Sequence, residues 1–181
     1  MLTGGFNEDT AWLASHGAFK GDIAIMMERW HRFWRLSGFE RGVVIEAAGG
    51  LLATWLGLRL AGFRRWKSVL AWLSPSASAM APLPGASHKE SAQVIARMES
   101  AAARNLFFSA NCLEHSLVLW WLLRRLGIAA ELRIGARKEV GRFEAHAWVE
   151  VDSVVLNDAD AEHRHFVPFD GPISPLEART D

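Results

Sequence analysis

Apolar side chains recur with a helical period along most of the first 73 residues. In the stretch 23–36, Ile, Met, Trp and Phe side chains fall at the three- and four-residue spacing of one helix face. Ser37 and Gly38 then carry the signals that end a helix. The pattern predicts three helices in this half, over residues 23–36, 40–60 and 63–73.

The second half of the chain has a different pattern. Residues 90–104 repeat with a helical period, and residues 112–126 are apolar almost all round, which is typical of a buried helix that stops at Gly127. Asp152-Ser153 separates two strand-like runs and indicates a hairpin. Helices followed by antiparallel strands predict an α+β fold, with strands over residues 129–136, 143–151 and 154–157.

Composition divides the chain where Ser, Ala and Pro become frequent, a bias typical of a linker. The residues before it are helical in pattern, apart from a Gly-rich polar start. We therefore expect four parts: an N-terminal arm over residues 1–22, a helical region over 23–75, a linker over 76–89 and a core over 90–181.

The apolar stretch 43–63 is long enough to raise the question of a membrane span. Glu46 and Arg59 interrupt it, and one charge at the centre of a span costs about 2.5–3.5 kcal/mol even on a lenient scale. We therefore predict a helix that packs on protein. Loose contact with a membrane surface is the alternative, because Arg64, Arg65 and Lys67 follow the stretch.

Composition and charge exclude several classes of protein. The 181 residues have a formal net charge of zero, so no global field favours nucleic acid. A single cysteine excludes an internal disulfide and a cysteine-built zinc site. The first 20 residues lack the pattern of a secretory signal, which predicts a cytoplasmic location. No phosphate or dinucleotide motif occurs, so we expect no cofactor.

The one cysteine, Cys112, stands at the predicted start of the buried helix. Asn111 is a good N-cap residue, and Glu114 three positions later completes a capping box. Thiolate is the nucleophilic form of cysteine, and both a helix N-terminus and a nearby imidazolium favour it. Cys112 is therefore the candidate nucleophile, although buried cysteines are also common as plain core residues.

His146 is the candidate base, and Asp158 the candidate group that orients it. His146 lies in an alternating strand pattern, on the face opposite the small aliphatic residues. A three-residue hairpin loop over 151–153 would pair His146 with Asp158, whereas a two-residue loop would shift the register by one. A nucleophile, a base and a carboxylate in this order are the components of a Cys–His–Asp triad.

The segment 111–158 resembles the core of a known enzyme family through four groups of residues. These are Cys112-Leu113 with Ser116-Leu117, Leu126-Gly127-Ile128 with Leu132-Arg133-Ile134-Gly135, His146-Ala147-Trp148-Val149-Glu150, and Asn157-Asp158. With them the chain resembles the lasso peptide leader peptidases, the transglutaminase-like cysteine proteases of lasso peptide biosynthesis. The resemblance implies a transglutaminase-like (papain-like) core with a small antiparallel sheet and a helical N-terminal extension.

The resemblance also implies what the protein does. Cys112, His146 and Asp158 would form the triad of a cysteine endopeptidase that removes the leader of a ribosomally made precursor peptide. A separate cyclase would then close a macrolactam on the freed core peptide. No leader-binding module is recognisable here, so the resemblance implies a separate leader-binding protein as partner.

Three alternatives stay open at this level. His115 lies one helical turn from Cys112 and is a rival base, although nothing in the sequence indicates a group that would orient it. His163 and His165, with Asp160 and Glu162, could ligate a metal but lack a further ligand at diagnostic spacing. The fold could also serve an acyl transferase or amidase, or a non-catalytic scaffold that binds a partner.

Overall fold

The computed structural model describes residues 27–28, 30–74, 87–106, 108–139, 141–158 and 161–169. The chain forms two compact units, Met1–Arg41 and Gly42–Asp181. In the first unit, residues 27–28 and 30–35 are helical and form α1, as the pattern predicted. The predicted arm over residues 1–22 and residues 76–86 of the predicted linker lie outside the described residues.

Helix α2 spans Gly38–Trp72 and contains a kink at Gly62. Gly62 has φ 75° and ψ 169°, a backbone conformation that glycine adopts without a steric penalty. The kink separates two helical segments that agree with the predicted helices over 40–60 and 63–73. It also brings Trp66 back against the first segment, where its indole Nε1 donates to Thr54 Oγ1 at 3.1 Å.

Gly57 allows this close approach because a side chain there would overlap the indole of Trp66. We predict that Gly57→Ala lowers the free energy of unfolding by about 1–3 kcal/mol, the usual range for overpacking. Gly49→Ala is the matched control: it lies in the same helix, and an added Cβ there meets nothing within 4 Å.

The control should stabilise the protein by about 0.5–1 kcal/mol, because alanine favours a helix over glycine. Urea unfolding of both variants measures the two changes. Equal effects of the two substitutions would contradict the packing of Trp66 on Gly57.

One side of the first segment of α2 packs on the helix over Cys112–Arg125, and the other side is exposed and apolar. Gly50 lies against Val118 and Trp121 on the packed side. Among the described residues, α2 is the one helix long and apolar enough to cross a membrane, and 33% of its most apolar window is buried. The exposed side carries four aliphatic side chains: Ile45, Leu52, Leu56 and Leu60.

Helices α3 (His88–Ala103) and α4 (Cys112–Arg125) confirm the two helices predicted for the second half. Helix α4 forms the centre of the core, with a run of fully buried side chains on several faces. It ends in a Schellman motif, in which Ile128 N donates to Leu123 O at 2.9 Å and Gly127 N donates to Arg124 O at 3.1 Å. Gly127 has the φ of 72° that this motif requires.

Four antiparallel strands form one sheet in the order β3-β2-β1-β4. The three predicted strands are present, but β4 and the 3-10 turn Glu162–His165 before it were not predicted. Segments of two and four residues carry too little periodicity to be recognised. The strands are β1 Glu131–Glu139, β2 Arg142–Val151, β3 Val154–Val155 and β4 Val167–Pro168.

The β2–β3 hairpin has a two-residue loop, Asp152-Ser153, with φ values of 50° and 61°. Positive φ at both positions is the mark of a type I′ turn, whose twist matches that of paired strands. The register pairs Val151 with Val154 and Glu150 with Val155. The register that pairs His146 with Asp158 is therefore wrong: β3 ends at Val155, and Asp158 lies in the loop that follows.

Candidate active site

Cys112 is the first residue of α4 and is partly exposed as a free thiol. The predicted capping box is present: Glu114 N donates to Asn111 Oδ1 at 3.0 Å, and Asn111 N donates to Glu114 Oε2 at 2.9 Å. The N–H groups of Cys112 and Leu113 have no acceptor within the helix, because they lie in its first turn. The thiol thus stands at the positive end of a helix dipole.

A hydrogen-bond network joins the start of α4 to the middle of β2. Ser116 Oγ donates to Ala147 O at 2.9 Å, and Asn157 Nδ2 donates to Ser116 Oγ at 2.8 Å. Asn157 Oδ1 in turn accepts from Val149 N at 2.8 Å. Cys112 precedes Ser116 by about one helical turn on the same face, about 6 Å along the axis at 1.5 Å per residue. The thiol is therefore one turn from the point where α4 is bonded to the residue after His146.

The imidazole of His146 is fixed by two aromatic rings. Its centroid lies 6.0 Å from the indole of Trp148 and 5.2 Å from the ring of Phe166. Its Nε2 is buried without a hydrogen-bond partner and lies 3.7 Å from Asp158 Oδ2. Because Nε2 faces the carboxylate, Nδ1 is the nitrogen that remains for a thiol.

Gly135 makes room for this aromatic packing. It pairs with His146 across β1 and β2 and with Pro168 across β1 and β4. A Cβ at this position would lie 3.0 Å from Phe166 Cβ, from the Trp148 indole and from Val167 O. Any side chain at position 135 would therefore displace the rings that hold His146.

Asp158 is nearly buried and accepts several hydrogen bonds from the turn that follows it. His163 N donates to Oδ2 at 2.6 Å, His163 Nδ1 approaches the same oxygen at 2.7 Å, and Glu162 N donates to Oδ1 at 3.1 Å. Burial opposes ionisation of this carboxyl, but these hydrogen bonds and the nearby His146 hold its pKa below the usual value. Asp158 is therefore an anion at neutral pH, with one oxygen directed towards His146.

Comparison with known proteins gives one result. Residues 57–169 match a family described as the transglutaminase-like superfamily, which is more than half of the chain. The chain belongs to the transglutaminase-like superfamily. Neither the curated proteins nor the solved structures give a significant match. The match includes Cys112, His146 and Asp158.

Membership in the transglutaminase-like superfamily confirms the α+β fold expected from the sequence, with helices and a small antiparallel sheet. It also fits an activity of the cysteine peptidase or acyltransferase type. Members of the superfamily are typically enzymes of the cysteine-protease kind.

His115, the rival base, has a partner that the sequence did not reveal. Its Nδ1 lies 2.8 Å from Oε1 of Glu99, a fully buried side chain of α3. The hydrogen bond with Glu99 raises the pKa of His115, against the opposing effect of burial. Because its pKa is raised, His115 holds its proton to a higher pH than an ordinary imidazole, and its Nδ1 is occupied by Glu99.

A cavity of about 500 Å³ lies beside the thiol-bearing turn. Its wall includes Phe108, Ser109 and Ala110, which lead directly into the N-cap of α4, and His115 on the helix itself. The rest of the lining comes from α3 and the residues after it: Ser100, Ala103, Arg104 and Leu106. This volume exceeds that of a single side chain and offers room for part of a peptide substrate.

The metal alternative at His163 and His165 has no support from the geometry. His163 Nδ1 is taken by Asp158. In the part of the chain that the structure describes, no group of three or more His, Cys, Asp or Glu side chains is arranged to hold a metal ion. Sequence reasoning noticed His163 but missed its partner, because two residues five positions apart show no periodic pattern that would place them together. Asp160, which the sequence pattern grouped with His163 and His165, lies outside the described residues.

Proposed function

We propose that this transglutaminase-like protein is a cysteine endopeptidase that removes the leader of a ribosomally made lasso precursor peptide before macrolactam closure. The main support for the proposal is the combination of Cys112 at the capped N-terminus of α4 with the imidazole of His146, which two aromatic rings hold in place. Cys112 lies one turn before the Ser116–Ala147 hydrogen bond, and the neighbouring His146 has Asp158 at 3.7 Å. A nucleophile, a base and an anion are thus supplied by α4, β2 and the loop after β3.

The chemistry follows from these groups. His146 Nδ1 takes the thiol proton of Cys112, and the thiolate attacks the carbonyl carbon of the scissile peptide bond. The N–H groups of the first turn of α4 stabilise the negative charge on the carbonyl oxygen. The imidazolium gives its proton to the leaving amine as the C–N bond breaks. His146 then takes a proton from the water that attacks the thioester, and it returns this proton to the departing thiolate as the C–S bond breaks. The leader carboxylate and the free thiol of Cys112 are thereby released.

The proposed partners follow the sequence resemblance. The leader segment is the substrate, and a separate leader-binding protein presents it. The cyclase that uses the freed core N-terminus is a further partner. The cavity next to Phe108 and His115 supports the peptide assignment, because its lining includes residues that lie shortly before and after Cys112 in the chain.

Mass spectrometry of a precursor peptide incubated with the protein and its leader-binding partner tests the proposal. We expect one cut at the leader–core junction and no cut with Cys112→Ala. The same mixture with an added primary amine distinguishes hydrolysis from acyl transfer. An amide product formed in preference to the free acid would favour the acyltransferase alternative. Binding without any change in mass would overturn the enzymatic assignment.

A further inference from the structure

We propose that His163 is a positioning residue of the candidate triad: its ring holds the Asp158 carboxylate in the orientation that faces His146. This inference rests on the proposed function, because it assigns His163 to the same site. From the sequence, His163 was considered only as a metal ligand, and the triad hypothesis did not use it.

The hydrogen bond between His163 and Asp158 has a defined direction. An ionised carboxylate only accepts hydrogen bonds, so the ring must donate from Nδ1 to Oδ2 over 2.7 Å. The oxygen that receives this bond is the one that lies 3.7 Å from His146 Nε2. The two imidazoles therefore lie around one carboxylate oxygen, with His163 closer.

The ring of His163 adds a hydrogen bond to those that the backbone of the turn makes with Asp158. The backbone N–H groups of Glu162 and His163 already bond the carboxylate, one to each oxygen. The Nδ1 donor is a second bond to Oδ2, and the indole of Trp148 lies 5.8 Å from the His163 ring centroid. Because Trp148 also contacts His146, one indole aligns both imidazoles. His163 thus restrains rotation of the carboxylate away from His146.

Positioning matters because the imidazolium of His146 needs a nearby anion. When His146 takes the proton of Cys112, Asp158 is the carboxylate that its Nε2 faces. A carboxylate that turns away stabilises the thiolate–imidazolium pair less. The charged side chains on the same face of β1 and β2 as His146 include Glu131, Arg133, Arg137, Glu144 and Glu150.

Alkylation of Cys112 by iodoacetamide tests the inference without a peptide substrate, because the chain has one cysteine. The rate measured against pH reports the thiolate fraction. We expect His163→Ala to move the midpoint upward by about one pH unit, a tenfold loss of rate at acidic pH. His163→Asn should restore most of the rate, since its amide can donate in the place of Nδ1. His165→Ala is the matched control, from the same turn, and should leave the midpoint unchanged.

Alkylation profiles of His163→Ala and His146→Ala together separate the role of His163 from the existence of the triad. A shift with His146→Ala but none with His163→Ala would overturn the role of His163 and leave the proposed function standing. No shift with either variant would overturn the triad. A shift with His163→Ala that His163→Asn does not reverse would mean a structural role alone, and the inference would then be wrong. Circular dichroism of each variant shows whether the fold is kept.

Discussion

Cys112→Ala should abolish cleavage of the precursor, with a fall in kcat of roughly 10⁵-fold or more, as expected when a covalent nucleophile is lost. The reason is that no other thiol exists in the chain to form the acyl-enzyme. The fold should survive, because Cys112 is only partly buried and Asn111 and Glu114 cap α4 without it. Cleavage measured by mass spectrometry and Tm measured by calorimetry check the two halves of the prediction.

Cys112→Ser is the closer control for this variant. A hydroxyl of nearly the same size keeps the packing but is a much weaker nucleophile, so the serine variant should also be inactive. Full activity in either variant would dispose of the mechanism. Lost activity accompanied by lost helix content would show damage to the fold and would remove the support for Cys112 as nucleophile.

The second large effect is expected at the base. His146→Ala should lower kcat by roughly 10⁴-fold or more, since residues of a triad act as a unit and each loss costs nearly the whole effect. His115→Asn should cost about tenfold or less, because an amide can still donate to the buried Glu99. The asparagine keeps this partner satisfied, which an alanine would not. Both rates come from the same cleavage assay.

This pair of variants decides between the two imidazoles. His115 has an oriented ring and a buried carboxylate partner, which are features of a catalytic base. In His115 that partner occupies Nδ1, whereas His146 has an unpartnered Nε2 that faces Asp158. A greater loss of kcat in His115→Asn than in His146→Ala would reverse our assignment of the base.

The sequence predicted those parts of the site that are formed by residues close together in the chain. The capping box at Asn111 and Glu114 is readable from four residues, and it places Cys112 at the start of α4. The alternation around His146 likewise predicted strand β2. These features depend on backbone hydrogen bonding and on burial of one face, which a sequence pattern records directly.

Contacts across irregular segments could not be predicted in the same way. The hairpin register depended on whether Val151 belongs to the strand or the loop, and that one-residue choice decides which face each side chain occupies. The His163–Asp158 and His115–Glu99 contacts join a turn to a loop and one helix to another. The spacing of these residues in the chain follows neither a helical nor a strand period, so no sequence pattern predicts the contacts. They become visible only in the packed structure.

The pH dependence of Cys112 alkylation, compared between the wild-type protein and His146→Ala, shows whether His146 is the base of this site. If it is, the wild-type thiol should be alkylated rapidly at an acidic pH where an ordinary cysteine is largely protonated. In His146→Ala the rate at that pH should fall by about tenfold or more, as the partner that takes the thiol proton is gone. Superimposable profiles of the two proteins would contradict the claim that His146 ionises Cys112.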